Sequence, residues 1–155
     1  MKLLLAALFV LASLPAAVAA PTVAISTVPR PAPASPLLAS VPLGGYPDRF
    51  PYGQCTWWAA YNRQVSWRGN AGDWLANAQA VGVRASDQPS PGAIAVYAPG
   101  NGYSGYGHVA LVIAIATGSY SVSEMNFIGW GQVSTRTIAW PDPHIEGFIP
   151  LPEDR

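Results

Sequence analysis

Cysteine and histidine are so scarce in this chain that each occurrence can be weighed by itself: cysteine occurs once, at Cys55, and histidine twice, at His108 and His144. A thiol becomes a strong nucleophile when it loses its proton, and the usual partner for that step is an imidazole. Cys55 follows the turn-forming pair Gly53-Gln54 and opens a run free of proline and glycine up to Arg68. It therefore sits at the predicted start of a helix, where unsatisfied N–H groups and the macrodipole favour a thiolate. His144 lies in the proline-bounded loop "PDPHIEG". His108 instead opens an apolar run after the glycine-rich loop "PGNGYSGYG", a place from which a side chain faces a cleft. Cys55 with His108 is thus the pairing that fits attack on a carbonyl. The plain alternative is a buried core thiol, a common fate of a free cysteine. A zinc site built from Cys55, His108 and His144 lacks the ligand spacing of known zinc sites, so no metal is expected.

An imidazole that acts as a base needs a third group to orient it. "HVALVIAIA" (108–116) and "SYSVSEMNF" (119–127) read as neighbouring strands. If Ala116-Thr117-Gly118 is a three-residue hairpin loop, Ile115 faces Ser119, and counting outward sets His108 opposite Asn126. Glu124, two residues away, then shares that face. His108, Glu124 and Asn126 are brought to one side of a sheet, and Glu124 is a carboxylate that would be costly to bury without a partner. Gln54 has two open readings, an oxyanion donor alongside the Cys55 backbone N–H or a turn-stabilising amide.

The elements that must carry these groups follow from periodicity. Residues 55–68 form a first predicted helix. A second opens at Asn70 or Gly72, with Asp73 as a helix-start residue, places Trp74, Leu75, Ala78 and Val81 on one side, and stops at Gly82. Strands are expected at Gly92–Ala98, His108–Ala116, Ser119–Phe127, Ser134–Trp140 and Glu146–Leu151, with 108–116 apolar on both faces and therefore central. Two helices followed by sequential strands give an α+β domain with a mostly antiparallel sheet. Trp57, Trp58, Trp67 and Trp74 are assigned to the core, with room for one of them at a groove, and Gly100–Gly107 to a groove wall.

The chain has 155 residues, half of them hydrophobic and 10% charged, at a formal net charge of zero. That composition supports one folded domain and offers no basic patch for nucleic acid. No dinucleotide-binding or P-loop glycine pattern is present in the sequence. Residues 1–19 read as an export signal: Lys2, an apolar stretch from Leu3 to Leu14, and Ala17-Val18-Ala19 before the cut. The apolar run is short for a membrane span and Pro15 interrupts it, so no stable membrane anchor is expected after cleavage. Residues 20–44, rich in proline and alanine, read as a tether, 45–151 as the folded domain and 152–155 as a tail. An oxidising destination leaves three roles for a lone cysteine: intermolecular bridge, small buried hydrophobe, or functional thiol.

Five blocks in order, "YGQCTWWAAYNR", "GNAGDW", "PSPGAIAVYAPG", "YGHVALVIAI" and "VSEMNF", resemble the CHAP domain, the cysteine, histidine-dependent amidohydrolase/peptidase family. The resemblance spans about Tyr46 to Leu151. It implies a papain-like α+β fold and amide hydrolysis in peptidoglycan, as amidase or endopeptidase, with stem or cross-bridge peptides as substrate and no cofactor. On the matching positions it implies Cys55 as nucleophile, His108 as base, Glu124 and Asn126 as orienting groups, and Gln54 with Cys55 at the oxyanion hole. Some members bind calcium through an acidic loop before the cysteine; here "GGYPDRFPYG" offers only Asp48, and no calcium site is expected. Two other readings stand beside the hydrolase: a wall-binding module of the same fold without catalysis, and an exported antibacterial toxin. Both place the protein in the periplasm, the wall or the exterior.

Overall fold

The strand predicted as central is central. In the computed structural model, which describes residues 37–38 and 44–152, β3 (His108–Ala116) lies between β2 (Ile94–Tyr97) and β4 (Ser119–Met125). The sheet continues outward to β5 (Val133–Ala139) beside β4 and to β6 (Ile145–Ile149) beside β2, and every pairing is antiparallel. A two-residue strand, β1 (Leu37–Leu38), pairs with the far end of β3, so sheet structure begins inside the stretch read as a tether. The export-signal reading of 1–19 and nearly all of the tether lie outside the described residues.

Alternation along the strands divides the interior in two. Ile94, Val96, Val109 and Leu111 face α1 (Cys55–Asn62) and α2 (Trp74–Ala80), meeting Ala59, Trp74 and Ala78. Ala95, Tyr97, Ala110, Val112, Tyr120 and Val122 point to the opposite face, where Phe148 and Trp140 join them. Both faces of β2 and most of β3 are therefore buried, which is why these strands read as unbroken apolar runs.

The first helix is shorter than its sequence suggests. It ends at Asn62, and Arg63 turns extended with φ −140° and ψ 138°. The buried Arg63 guanidinium donates to the carbonyl oxygens of Gly92 and Pro150. Satisfying those carbonyls pulls the chain out of the helix, and desolvation lowers the arginine pKa to about 10. Tertiary demand has overridden a helix-permissive composition. The second helix opens with a 3₁₀ turn, Ala71–Asp73, and the Asp73 carboxylate accepts the Asn70 N–H at 3.3 Å, the helix-start role expected of it. It stops at Gly82 (φ +81°), where Gly82 and Val83 donate to Gln79 and Ala78. That double bond pattern over a left-handed glycine closes the helix.

Candidate active site

The hairpin between β3 and β4 decides what meets His108. Its loop is Thr117-Gly118, two residues long, because Ala116 pairs with Ser119. The three-residue loop expected from sequence is therefore incorrect. A bulge at Ile113 compensates: Val112 pairs with Val122 while Ala114 pairs with Ser121. One residue gained on β3 cancels the residue lost from the loop. The ladder thus reaches Leu111–Ser123 in the expected register, with Glu124 the next residue along β4.

His108 Nε2 lies 2.9 Å from Glu124 Oε2, and the carboxylate is fully buried. The Cys55 thiol lines the same cleft as the imidazole and favours its charged form. With Nε2 engaged by the carboxylate, Nδ1 is the nitrogen left for the thiol. Cys55 is the first residue of α1 and is 8% exposed, facing a cleft of about 380 Å³ that His108, Gln54, Asn126, Tyr103 and Trp130 also line. Tyr103, from the glycine-rich loop, stacks on the imidazole at 5.4 Å and 15°, so that loop is a cleft wall.

Charge within the site is ordered. Burial penalises the His108 imidazolium, but its interactions with Cys55 and Glu124 outweigh that and the pKa rises. Burial likewise disfavours the Glu124 carboxylate, yet its bonds to His108 and Arg136 hold its pKa below the ordinary value. Arg136 is the group that sequence reasoning missed. Its Nε and Nη2 donate to Glu124 at 2.5 and 2.9 Å, its Nη2 also reaches the Tyr103 hydroxyl at 3.2 Å, and its guanidinium lies 3.7 Å from the Phe127 ring centroid. The signal was present in "STRTIAW", where a lone cation stands in a strand; its partner emerges only from the β4–β5 register, in which Ser134 pairs with Glu124 and Arg136 follows on the same face.

Asn126 departs from its expected task. It follows the last residue of β4 in a left-handed conformation, φ +63°, and its Nδ2 donates to Gln54 Oε1 at 3.0 Å rather than to the imidazole. The turn past the strand end swings the amide toward the start of α1. The carboxylate alone holds Nε2 of His108, while Asn126 holds the residue that precedes the thiol. Gln54 makes no cap to its helix. Its amide oxygen is engaged by Asn126, and it lines the cleft beside Cys55.

Other candidates fall elsewhere. His144 sits in the β5–β6 connection, its N–H bonded to Asp142. Asp48 accepts the Phe50 N–H at 2.7 Å and so shapes the loop before the thiol. Among the described residues no group of three or more His, Cys, Asp or Glu side chains is arranged to hold a metal ion. Of the four tryptophans assigned to the core, Trp67 and Trp74 are buried and Trp58 donates to Ser123. The tryptophan at the cleft is Trp130 instead.

Several known proteins are similar to this chain. The chain is 36% identical over 99 residues to "Probable autolysin LDP" of Staphylococcus aureus, covering 59% of this chain and 34% of that one. It is 37% identical over 107 residues to "N-acetylmuramoyl-L-alanine amidase sle1" of Staphylococcus haemolyticus, covering 64% and 31%. It thus spans about a third of the length of these relatives. A crystal structure of an N-acetylmuramoyl-L-alanine amidase from Staphylococcus aureus shares 38% identity over 57% of this chain and 27% of that one, with a TM-score of 0.49. Residues 45–126, more than half of the chain, match the model of the CHAP domain, and the chain belongs to the CHAP domain family.

Proposed function

We propose that this chain hydrolyses an amide bond in peptidoglycan through a cysteine nucleophile, acting outside the cytoplasm after export. The observation that carries the reading is that Cys55 and His108 line one cleft, with the buried Glu124 carboxylate on the imidazole and Arg136 behind that carboxylate. Membership of the CHAP family and likeness to proteins named as autolysin and amidase supply the substrate class.

In this mechanism His108 takes the proton of Cys55, and the sulfur attacks the carbonyl carbon of the substrate amide. The electron pair of the C=O bond moves to oxygen, where the Cys55 backbone N–H and the Gln54 amide receive it; such a donor is worth about 3 kcal/mol in the transition state. Collapse expels the amine, which takes its proton from the imidazolium. Water, deprotonated by His108, then cleaves the thioester and restores the thiol. Glu124 keeps the ring in place and stabilises its charged form throughout. No cofactor enters any step.

The test uses purified murein. Wild-type protein should release new amino groups while Cys55→Ala releases none, and mass analysis of the soluble fragments identifies the bond, amidase or endopeptidase. Equal release by Cys55→Ala would end the cysteine mechanism. Pelleting with murein without cleavage by the wild type would make the chain a binding module instead.

A further inference from the structure

Beside the thiol runs a ridge of aromatic rings, exposed at Trp130 and Tyr52 and half-buried at Trp57 and Tyr61. Trp130 is 62% exposed and lines the cleft that holds Cys55 and His108. Its indole packs over Gly53: a Cβ built on that glycine would fall 2.5 Å from the ring. The same contact is pinned by the Gly131 N–H donating to the Gly53 carbonyl at 3.1 Å. Next along is Tyr52, 63% exposed, its ring centroid 4.8 Å from that of Trp57. Trp57 in turn stacks on Tyr61 at 4.9 Å with only 9° between planes. Gly131, next to Trp130, borders the Tyr52 ring, which a Cβ built there would approach to 3.9 Å, so the two exposed rings share one patch. Contiguous exposed apolar surface of this kind marks a binding site, whereas isolated exposed residues do not.

The chemistry of the ridge selects its occupant. Peptidoglycan stem peptides carry free carboxylates, yet none of the described residues lining the cleft is Asp, Glu, Lys or Arg. The nearby cation, Arg136, is committed to Glu124. Flat rings with a polar edge, indole N–H or phenol O–H, suit a ligand that is apolar on its faces and polar around its rim. A pyranose is such a ligand, with C–H bonds on the faces and hydroxyl groups around the edge.

We propose that Trp130 and Tyr52, the latter backed by Trp57, form a stacking track for the glycan strand. A sugar seated on Trp130 puts the first amide off its lactyl group into the cleft at Cys55. This rests on the hydrolase reading and sharpens it: the enzyme cuts at the sugar side of the stem peptide, as an amidase. Trp130 is then a specificity residue that touches saccharide, not a member of the relay.

The experiment measures binding by the full chain carrying Cys55→Ala, with intrinsic fluorescence as readout. Three probes are used: peptide-free glycan oligomers, a disaccharide bearing the stem peptide, and the stem peptide alone. The two sugar-containing probes should bind, and Trp130→Ala in the same background should weaken both about tenfold, the scale of one aromatic stacking contact. Trp130→Phe should recover most of the loss, and affinity for the bare stem peptide should not move. Equal binding of bare and sugar-linked peptide, or indifference of both sugar probes to Trp130→Ala, would overturn the track. Failure of the hydrolase reading is separately visible, as a wild-type protein that binds glycan oligomers and releases no amine from murein.

Discussion

The Arg136 guanidinium and the Glu124 carboxylate meet fork to fork, Nε 2.5 Å from Oε1 and Nη2 2.9 Å from Oε2, on neighbouring strands β5 and β4. A carboxylate with no exposure, bonded to one cation and to the imidazole of His108, is stable only while its partners remain. The contact therefore links the outer strand of the sheet to the candidate base. It explains why an acid can be sunk in a strand whose neighbours Val122 and Met125 are apolar and buried.

Removing the cation should cost more than removing the pair. Arg136→Met leaves Glu124 buried without its fork and should destabilise the fold by about 3–5 kcal/mol. Arg136→Lys keeps the charge but loses the bidentate geometry and should fall between. The double change Glu124→Gln with Arg136→Met should recover much of the stability but not the hydrolysis. Urea unfolding of wild type, Glu124→Gln and these three variants checks the series, and additive losses in the double variant would contradict the coupling.

Stability should carry the titration signature of the His108–Glu124 contact. Glu124 has a depressed pKa, so its contribution is complete above the ordinary value of 4.5 and fades as pH falls through the lower, folded value. His108 has a raised pKa, so its contribution is complete below 6.5 and fades as pH rises through the higher, folded value. The stability deficit of Glu124→Gln against wild type should thus be greatest between these two values. It should shrink in acid, and shrink partly in alkali, where Arg136 still holds the carboxylate. A deficit that is flat from pH 3 to pH 9 would contradict the assignment.

Asn126 and Gln54 should act as one unit. Asn126→Ala frees the Gln54 amide and should lower kcat while KM stays near its wild-type value. The single changes Asn126→Ala and Gln54→Ala should each cost up to about 10²-fold, and the double change little more than the worse of them. Steady-state rates on a soluble muropeptide check this, and multiplicative losses would show that the two side chains act apart.

Arg63 supplies a control far from the chemistry. Arg63→Met abandons the carbonyls of Gly92 and Pro150 and should destabilise by about 1.5–3 kcal/mol, the range for hydrogen bonds to a charged group. Turnover by the folded fraction should be unchanged. A proportionate fall in kcat under conditions where the variant is fully folded would tie this end of the molecule to catalysis.

Cys55 at a helix start, His108 at the mouth of a central strand and Glu124 on the next strand were all legible in the sequence. Scarcity, glycine punctuation and period-2 alternation are local signals, and each survives into the fold. The hairpin argument reached the observed register at the Leu111–Ser123 pair through an incorrect loop, because a bulge at Ile113 offset the shorter turn. Bulges leave no reliable mark in a single sequence; they arise from how one strand must twist against its neighbours. The early end of α1 has the same kind of cause, since the carbonyls that claim Arg63 are 29 and 87 residues away. Arg136 and Trp130 were hidden for that reason too. One becomes an anchor only when β5 is set in register beside β4, and the other a cleft residue only when the turn after β4 docks on Gly53. Sequence alone determined which groups have the chemistry, because side-chain type and local period suffice for that. Which groups stand behind and beside them was decided by long-range packing, in which contacts between distant residues outweigh every local preference.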